Sequence, residues 1–224
     1  MRHRRSSAAV LVPAALLLTA CGGSSPLEGR TGPEVAALAA DALEEAGSVH
    51  VAGSIVQDGA EVGMDLRMQD EDVAGTLTFD GAGFGLVTVD GELYVEASPE
   101  FLAPFDLAAG EAARYEGRWV ALPRESAGEY SDLSLAGMVE ELRRDDIDDD
   151  VRRDELDGQD VVVVEHADGT RVVVADDDPA HPLRMTGDED SEGELVFSDH
   201  GEDQGITVPE DVVALEEITE LAGS

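Results

Sequence analysis

Between residues 49 and 96 the chain alternates apolar and polar residues and is cut by short turn signals. That pattern restricts it to an antiparallel meander. Val62, Met64, Leu66 and Met68 alternate with Gly63, Asp65, Arg67 and Gln69, the period of a strand that buries one face. Val73 to Phe79 repeats the pattern, with Leu77 and Phe79 on one face and Thr76 and Thr78 on the other. Further strands are expected over 49–57, 84–89 and 92–96. Asp90-Gly91 is a hairpin dipeptide. The turns at Asp58-Gly59, Asp70 to Asp72 and Asp80-Gly81 are equally short, and short turns join antiparallel neighbours.

Two helical stripes interrupt the strands. Thr31-Gly32-Pro33-Glu34 reads as a capping box with proline in the first turn. Val35, Leu38, Ala39, Ala42, Leu43 and Ala46 then form one apolar stripe, which Gly47 ends. Leu135, Met138, Val139 and Leu142 have the same spacing, with Ser131 as the expected cap. Between the stripes, 98–117 reads as a short helix plus loop and 118–122 as a short strand. Strands resume over 151–156, 161–166, 171–176, 183–186 and 194–198, and 209–221 ends the chain as a loop or short helix. The sum is about ten strands and a few helices. A sheet curled around the helical stripes covers both sets of apolar faces; a closed barrel leaves the helices without a partner.

The N-terminus predicts a compartment. Arg2, Arg4 and Arg5 precede an apolar stretch from Ala8 to Leu18, which ends in Leu18-Thr19-Ala20-Cys21. The stretch is too short to span a bilayer and fits a signal-peptide core. The small residues before a cysteine look like a lipobox. Cys21 is the only cysteine in the chain, so it has no disulfide partner within it. Acyl chains on Cys21 would anchor the protein stably, because two or more chains exceed the marginal binding of one. The expected organisation is a lipoprotein signal peptide over 1–20, a lipidated flexible tether over 21–30 and one domain over 31–224. The protein is expected on the outer face of the cell membrane.

Charge excludes several partners. Against 51 Asp+Glu stand 14 basic residues, all arginine, for a net charge of −37. Nucleic-acid binding needs clustered cations, so it is not expected. Electrostatic docking on an anionic membrane surface is equally disfavoured. Aromatic residues are only 4%, so any pocket must be mostly aliphatic.

The usual catalytic signatures do not occur: there is no GxSxG, HExxH, P-loop or CxxC pattern. His50, His166, His181 and His200 read as sheet-face or turn residues. Asp188, Asp190, Glu192, Gly193 and Asp199 fall at EF-hand loop spacings, but their flanks read as strands, so a hairpin turn is expected there. The chain is expected to be non-catalytic, with no cofactor and no metal.

In order and spacing, several segments resemble the LppX/LprG/LprF group of actinobacterial lipoproteins, especially its streptomycete-type relatives. These are Ala40-Asp41-Ala42-Leu43 leading into Ser48-Val49-His50-Val51-Ala52-Gly53, then Met64-Asp65-Leu66-Arg67-Met68 and Ala74-Gly75-Thr76-Leu77-Thr78. Val89-Asp90-Gly91-Glu92-Leu93-Tyr94-Val95, Gly117-Arg118-Trp119-Val120 and Asp157-Gly158-Gln159-Asp160-Val161-Val162 follow. Pro182-Leu183-Arg184-Met185 and Phe197-Ser198-Asp199-His200-Gly201-Glu202 complete the set. The resemblance implies an α+β, LolA-like fold, an antiparallel half-barrel wrapped around helices with an apolar cavity between them. It also implies binding of a lipid or glycolipid for carriage in the cell envelope.

On that reading the cavity would be lined by Met64, Leu66, Met68, Leu77, Phe79 and Leu86 from the sheet, and by Leu135, Met138, Val139 and Leu142 from the covering helix. Methionine adapts to irregular apolar ligands, and apolar pockets with few polar groups suit acyl chains. Arg67, Arg118, Arg171 and Arg184 are scattered, which disfavours an anionic headgroup. The same faces also fit a filled core. That leaves a second reading, an envelope sensor or protein-interaction module on the same scaffold that binds no lipid.

Overall fold

The computed structural model describes residues 25–57, 60–187 and 193–222. The expected signal peptide, Cys21, the tether residues 22–24 and the Asp58-Gly59 turn lie outside them.

Helix α1 (Gly32–Ala46) starts where expected. Glu34 accepts a hydrogen bond from the Thr31 backbone N–H at 3.0 Å, and Gly47 ends the helix in the left-handed region (φ 69°). The meander follows as β1 (Ser48–Gln57), β2 (Ala60–Gln69), β3 (Asp72–Phe79), β4 (Ala82–Val89) and β5 (Glu92–Glu96). Positive φ at both Asp80-Gly81 and Asp90-Gly91 is the turn geometry that suits the twist of a hairpin. Short helices α2 (Pro99–Leu102) and α3 (Ala109–Ala112) lead to β6 (Trp119–Ala121) and a 3₁₀ segment over 124–133.

Helix α4 (Leu135–Leu142) is capped by Ser134, whose Oγ accepts from the Gly137 N–H at 3.2 Å. The expected cap, Ser131, falls inside the 3₁₀ segment instead. The second meander comprises β7 (Arg152–Leu156), β8 (Gln159–Glu165), β9 (Arg171–Ala175), β10 (Pro182–Thr186) and β11 (Gly193–Ser198). The chain then gives β12 (Val212–Ala214) and α5 (Leu215–Ala222).

Among the described residues, twelve strands join one sheet in the order β12-β6-β5-β4-β3-β2-β1-β11-β10-β9-β8-β7. The result is a mixed α+β fold with a large, open and mostly antiparallel sheet. Among the described residues, only the β12–β6 pair is parallel. The two meanders meet where β1 pairs with β11, His50 opposite Ser198 through Ile55 opposite Gly193.

One face of the sheet, from Leu86 on β4 round to Val162 on β8, gathers onto α1 and α4 in a single apolar cluster. Val35, Ala39 and Leu43 of α1 and Leu142 of α4 are completely buried in it. Glycines allow the strands to bend over the helices. Gly53 and Gly75 have φ of 147° and 158°, and a Cβ on either would lie 1.9 Å from a backbone oxygen of the neighbouring strand. Such kinks are a general means of curving a sheet. A smaller cluster packs Leu102, Tyr115, Val213 and Ile218 at the other edge.

Candidate ligand cavity

The sheet's concave face is incompletely filled. Between it and α4 lies a cavity of about 780 Å³, within the range of small-molecule sites. Period-two alternation places Val62, Met64, Leu77 and Leu195 on its floor. Ile55, Val56, Phe79, Met185 and Gly187 line it at the strand ends, and Leu133 and Met138 approach from the helical side. By register these strand ends lie on one side of the sheet. Ile55 pairs with Val62, Val62 with Phe79, and Met185 with Leu195.

The mouth is polar. Asp132, Glu140, Glu141, Arg144, Asp168 and Thr170 also line the cavity. Phe79, 45% exposed, stacks on Phe84 with ring centroids 6.0 Å apart at the tip of the β3–β4 hairpin. Arg144 holds Glu141 at 2.7 Å, Asp146 at 2.5 Å and Asp168 at 3.0 Å, and these carboxylates hold its pKa above the usual arginine value. Asp168 accepts the Thr170 backbone N–H at 2.9 Å. That bond, with help from the Thr170 hydroxyl and Arg144, lowers its pKa to about 2 against the opposing effect of partial burial. Behind this network, buried His166 lies 3.4 Å from Asp146.

The structure divides the expected lining residues in two. Met64, Leu77, Phe79 and Met138 line the cavity, Met64 and Leu77 while also belonging to the buried core cluster. Leu66, Met68, Leu86, Leu135, Val139 and Leu142 are instead packed into the core cluster, none more than 6% exposed. Val62 shares a face with Met64 and was legible from the alternation. Met185 and Leu195 come from strands in the second meander, distant in sequence, which local pattern cannot place. The charged mouth gave no signal either, because acids occur throughout the chain.

The other expected positions are structural in setting. His50 bonds Asp65 at 2.8 Å. His181 and His200 stack with centroids 4.4 Å apart. The EF-hand-like spacing spans a connection between β10 and β11, adjacent antiparallel strands; residues 188–192 of it lie outside the described residues. Among the described residues, no group of three or more His, Cys, Asp or Glu is placed to hold a metal ion, and no helix is long and apolar enough to cross a membrane.

No protein-family model matches the chain, and no curated protein matches it. Among solved structures, an uncharacterized conserved protein from Thermus thermophilus aligns with a TM-score of 0.38 at 12% identity, over 78% of this chain and 95% of that one. A likeness that slight carries no argument about fold or function.

Proposed function

We propose that this protein is a membrane-anchored, extracytoplasmic lipoprotein that binds a lipid or glycolipid between its sheet and α4, for carriage or transfer in the cell envelope. The reading takes the open sheet as a LolA-like half-barrel and Cys21 as the acylated residue. One observation carries it: the cavity of about 780 Å³ has an aliphatic floor of Val62, Met64, Leu77 and Leu195 and a charged mouth. Methionines on floor and roof suit a flexible acyl chain. Concentrating polar groups at the entrance leaves a headgroup in water while the chain is buried.

The second reading, a protein-contact or sensor module, draws on the exposed Phe79 at the cavity rim. The cavity favours the first, because a contact surface needs no interior space. Native mass spectrometry of the protein purified from an actinobacterial host, with organic extraction in parallel, separates them. A bound species of lipid mass that disappears on extraction is expected. A chain that stays at its apo mass after incubation with total envelope lipids would overturn the lipid reading and favour the contact module.

A further inference from the structure

The chain has five methionines. Met1 lies outside the described residues, and three of the other four, Met64, Met138 and Met185, line the cavity described above. They reach it from separate elements, Met64 from β2, Met138 from α4 and Met185 from β10. Met68 is the exception, closed completely into the core cluster. Exposure separates them further. Met138 and Met185 are only partly buried at the edge of that cluster, whereas Met64 is 8% exposed and Met68 0%. The remaining lining residues are aliphatic side chains, carboxylates, an arginine, a threonine, glycines and Phe79, none of which a peroxide attacks. Among the described residues, the oxidisable groups on the cavity wall are therefore three thioethers, and two of them are within reach of solvent.

We infer that Met138 and Met185 form an oxidation site that controls the cavity: hydrogen peroxide converts them to sulfoxides, and the cavity then loses its hold on an apolar chain. This rests on the ligand-cavity reading above and adds a means of release to it. In the reaction the thioether sulfur attacks one peroxide oxygen. The S–O bond forms as the O–O bond breaks, and the proton on the transferred oxygen leaves with the departing hydroxide as water. The sulfur is oxidised by two electrons and the peroxide is reduced. The product puts a polar group where a soft apolar side chain had packed. A sulfoxide oxygen loses its bound water when an apolar chain covers it, and that loss opposes binding. A methionine sulfoxide reductase, with a dithiol as reductant, restores the thioether. On the extracytoplasmic reading the chain meets oxidants away from the cytosolic thiol pool.

The test adds hydrogen peroxide to the full chain with and without dodecyl maltoside below its critical micelle concentration. Mass spectrometry follows sulfoxide in the peptides carrying Met64, Met68, Met138 and Met185. In urea the four should react at one rate. In the folded chain Met138 and Met185 should react at least tenfold faster than Met68. Bound dodecyl maltoside should slow those two at least threefold and leave Met68 as it was. Calorimetric titration of the oxidised chain should show dodecyl maltoside binding at least fivefold more weakly, with thermal unfolding still well above the assay temperature. The variant Met138→Leu/Met185→Leu, compared with itself before and after peroxide, should change less than twofold.

No binding of dodecyl maltoside to the untreated chain would overturn the cavity reading and this inference together. Binding that survives oxidation of both methionines, or methionines that react no faster than Met68, would overturn the inference alone. So would an equal loss of binding in the leucine variant, which would place the effect at another residue. Unfolding of the oxidised chain would overturn it as well, because the sulfoxides would then act on the core and not on the cavity.

Discussion

The Ser25 hydroxyl lies 2.7 and 2.6 Å from the two carboxylate oxygens of Asp176, a residue 151 positions later in the chain. Asp176 also accepts the Leu27 N–H at 3.1 Å and pairs with Arg153. The first described residues are thus fixed at the C-terminal end of β9. Thr170, at the cavity, precedes the opposite end of that strand, about 17 Å away for five residues. Cys21 stands only four positions before Ser25.

Asp176→Ala should therefore cost about 1–3 kcal/mol, because it strands a hydroxyl, a backbone N–H and a guanidinium together. Burial pushes the Asp176 carboxyl up, but Ser25, Leu27 and Arg153 outweigh it and hold the pKa below the ordinary value. The contribution is then present above the unfolded pKa near 4 and lost as pH falls through the lower folded value. Urea denaturation at pH 7 and pH 3 checks both statements. A variant as stable as the parent at pH 7 would show that the contact does not hold the N-terminal segment.

A second pH dependence comes from His181 and His200. Their rings stack at 4.4 Å, and His181 Nδ1 and His200 Nε2 are buried with no hydrogen-bond partner among the described residues. Burial lowers the His200 pKa to about 4, and the neighbouring His181 adds to this, against weaker opposing effects of the Pro182 carbonyl and Asp199. Burial also lowers that of His181. In the unfolded chain each takes a proton near pH 6.5. Stability is therefore fully present above about pH 7 and lost as pH falls towards 4. Read every half unit from pH 7.5 to 4.5, the melting temperature of the parent should fall more steeply than that of His200→Gln. Parallel curves would refute the assignment.

Gly53 sits on β1 with φ 147°, and an added Cβ would lie 1.9 Å from the Glu194 carbonyl oxygen. Gly53→Ala should destabilise by about 1–3 kcal/mol, although alanine is otherwise the smallest possible change. Thermal unfolding gives the answer directly. An unchanged midpoint would mean that the β1–β11 junction relaxes without loss.

Much of this architecture was legible because its signals are local. The alternation of Val62 to Met68 and the Asp-Gly turns fixed β1 to β5, and the stripes through Leu43 and Leu142 fixed the helices. The exception among the strands is β12. Val212, Val213 and Ala214 pair in parallel with Trp119 to Ala121, and a three-residue strand made by a partner 93 positions away leaves no local pattern. The cavity divided along the same line. Alternation tells which face of β2 is apolar, but not that the cavity lies over Met64 while Leu66, two residues on along the same face, is closed completely into the core cluster. No periodicity encodes that offset.

The offset makes a final prediction that separates cavity from core within one face. Leu66 is completely buried in the cluster formed with α1 and α4, so Leu66→Ala leaves a void and should cost about 3–5 kcal/mol. Met138 is only partly buried, packs at the edge of the same cluster and lines the cavity. Met138→Ala enlarges a space that already exists and should cost less than about 1 kcal/mol. Its effect belongs instead to ligand affinity, where loss of the roof contact should weaken binding of a dodecyl chain several-fold. Denaturation midpoints and chain titrations on the two variants should move in opposite order. If Met138→Ala destabilised as much as Leu66→Ala, the space beneath α4 would be part of the packed core and the ligand reading would fail with it.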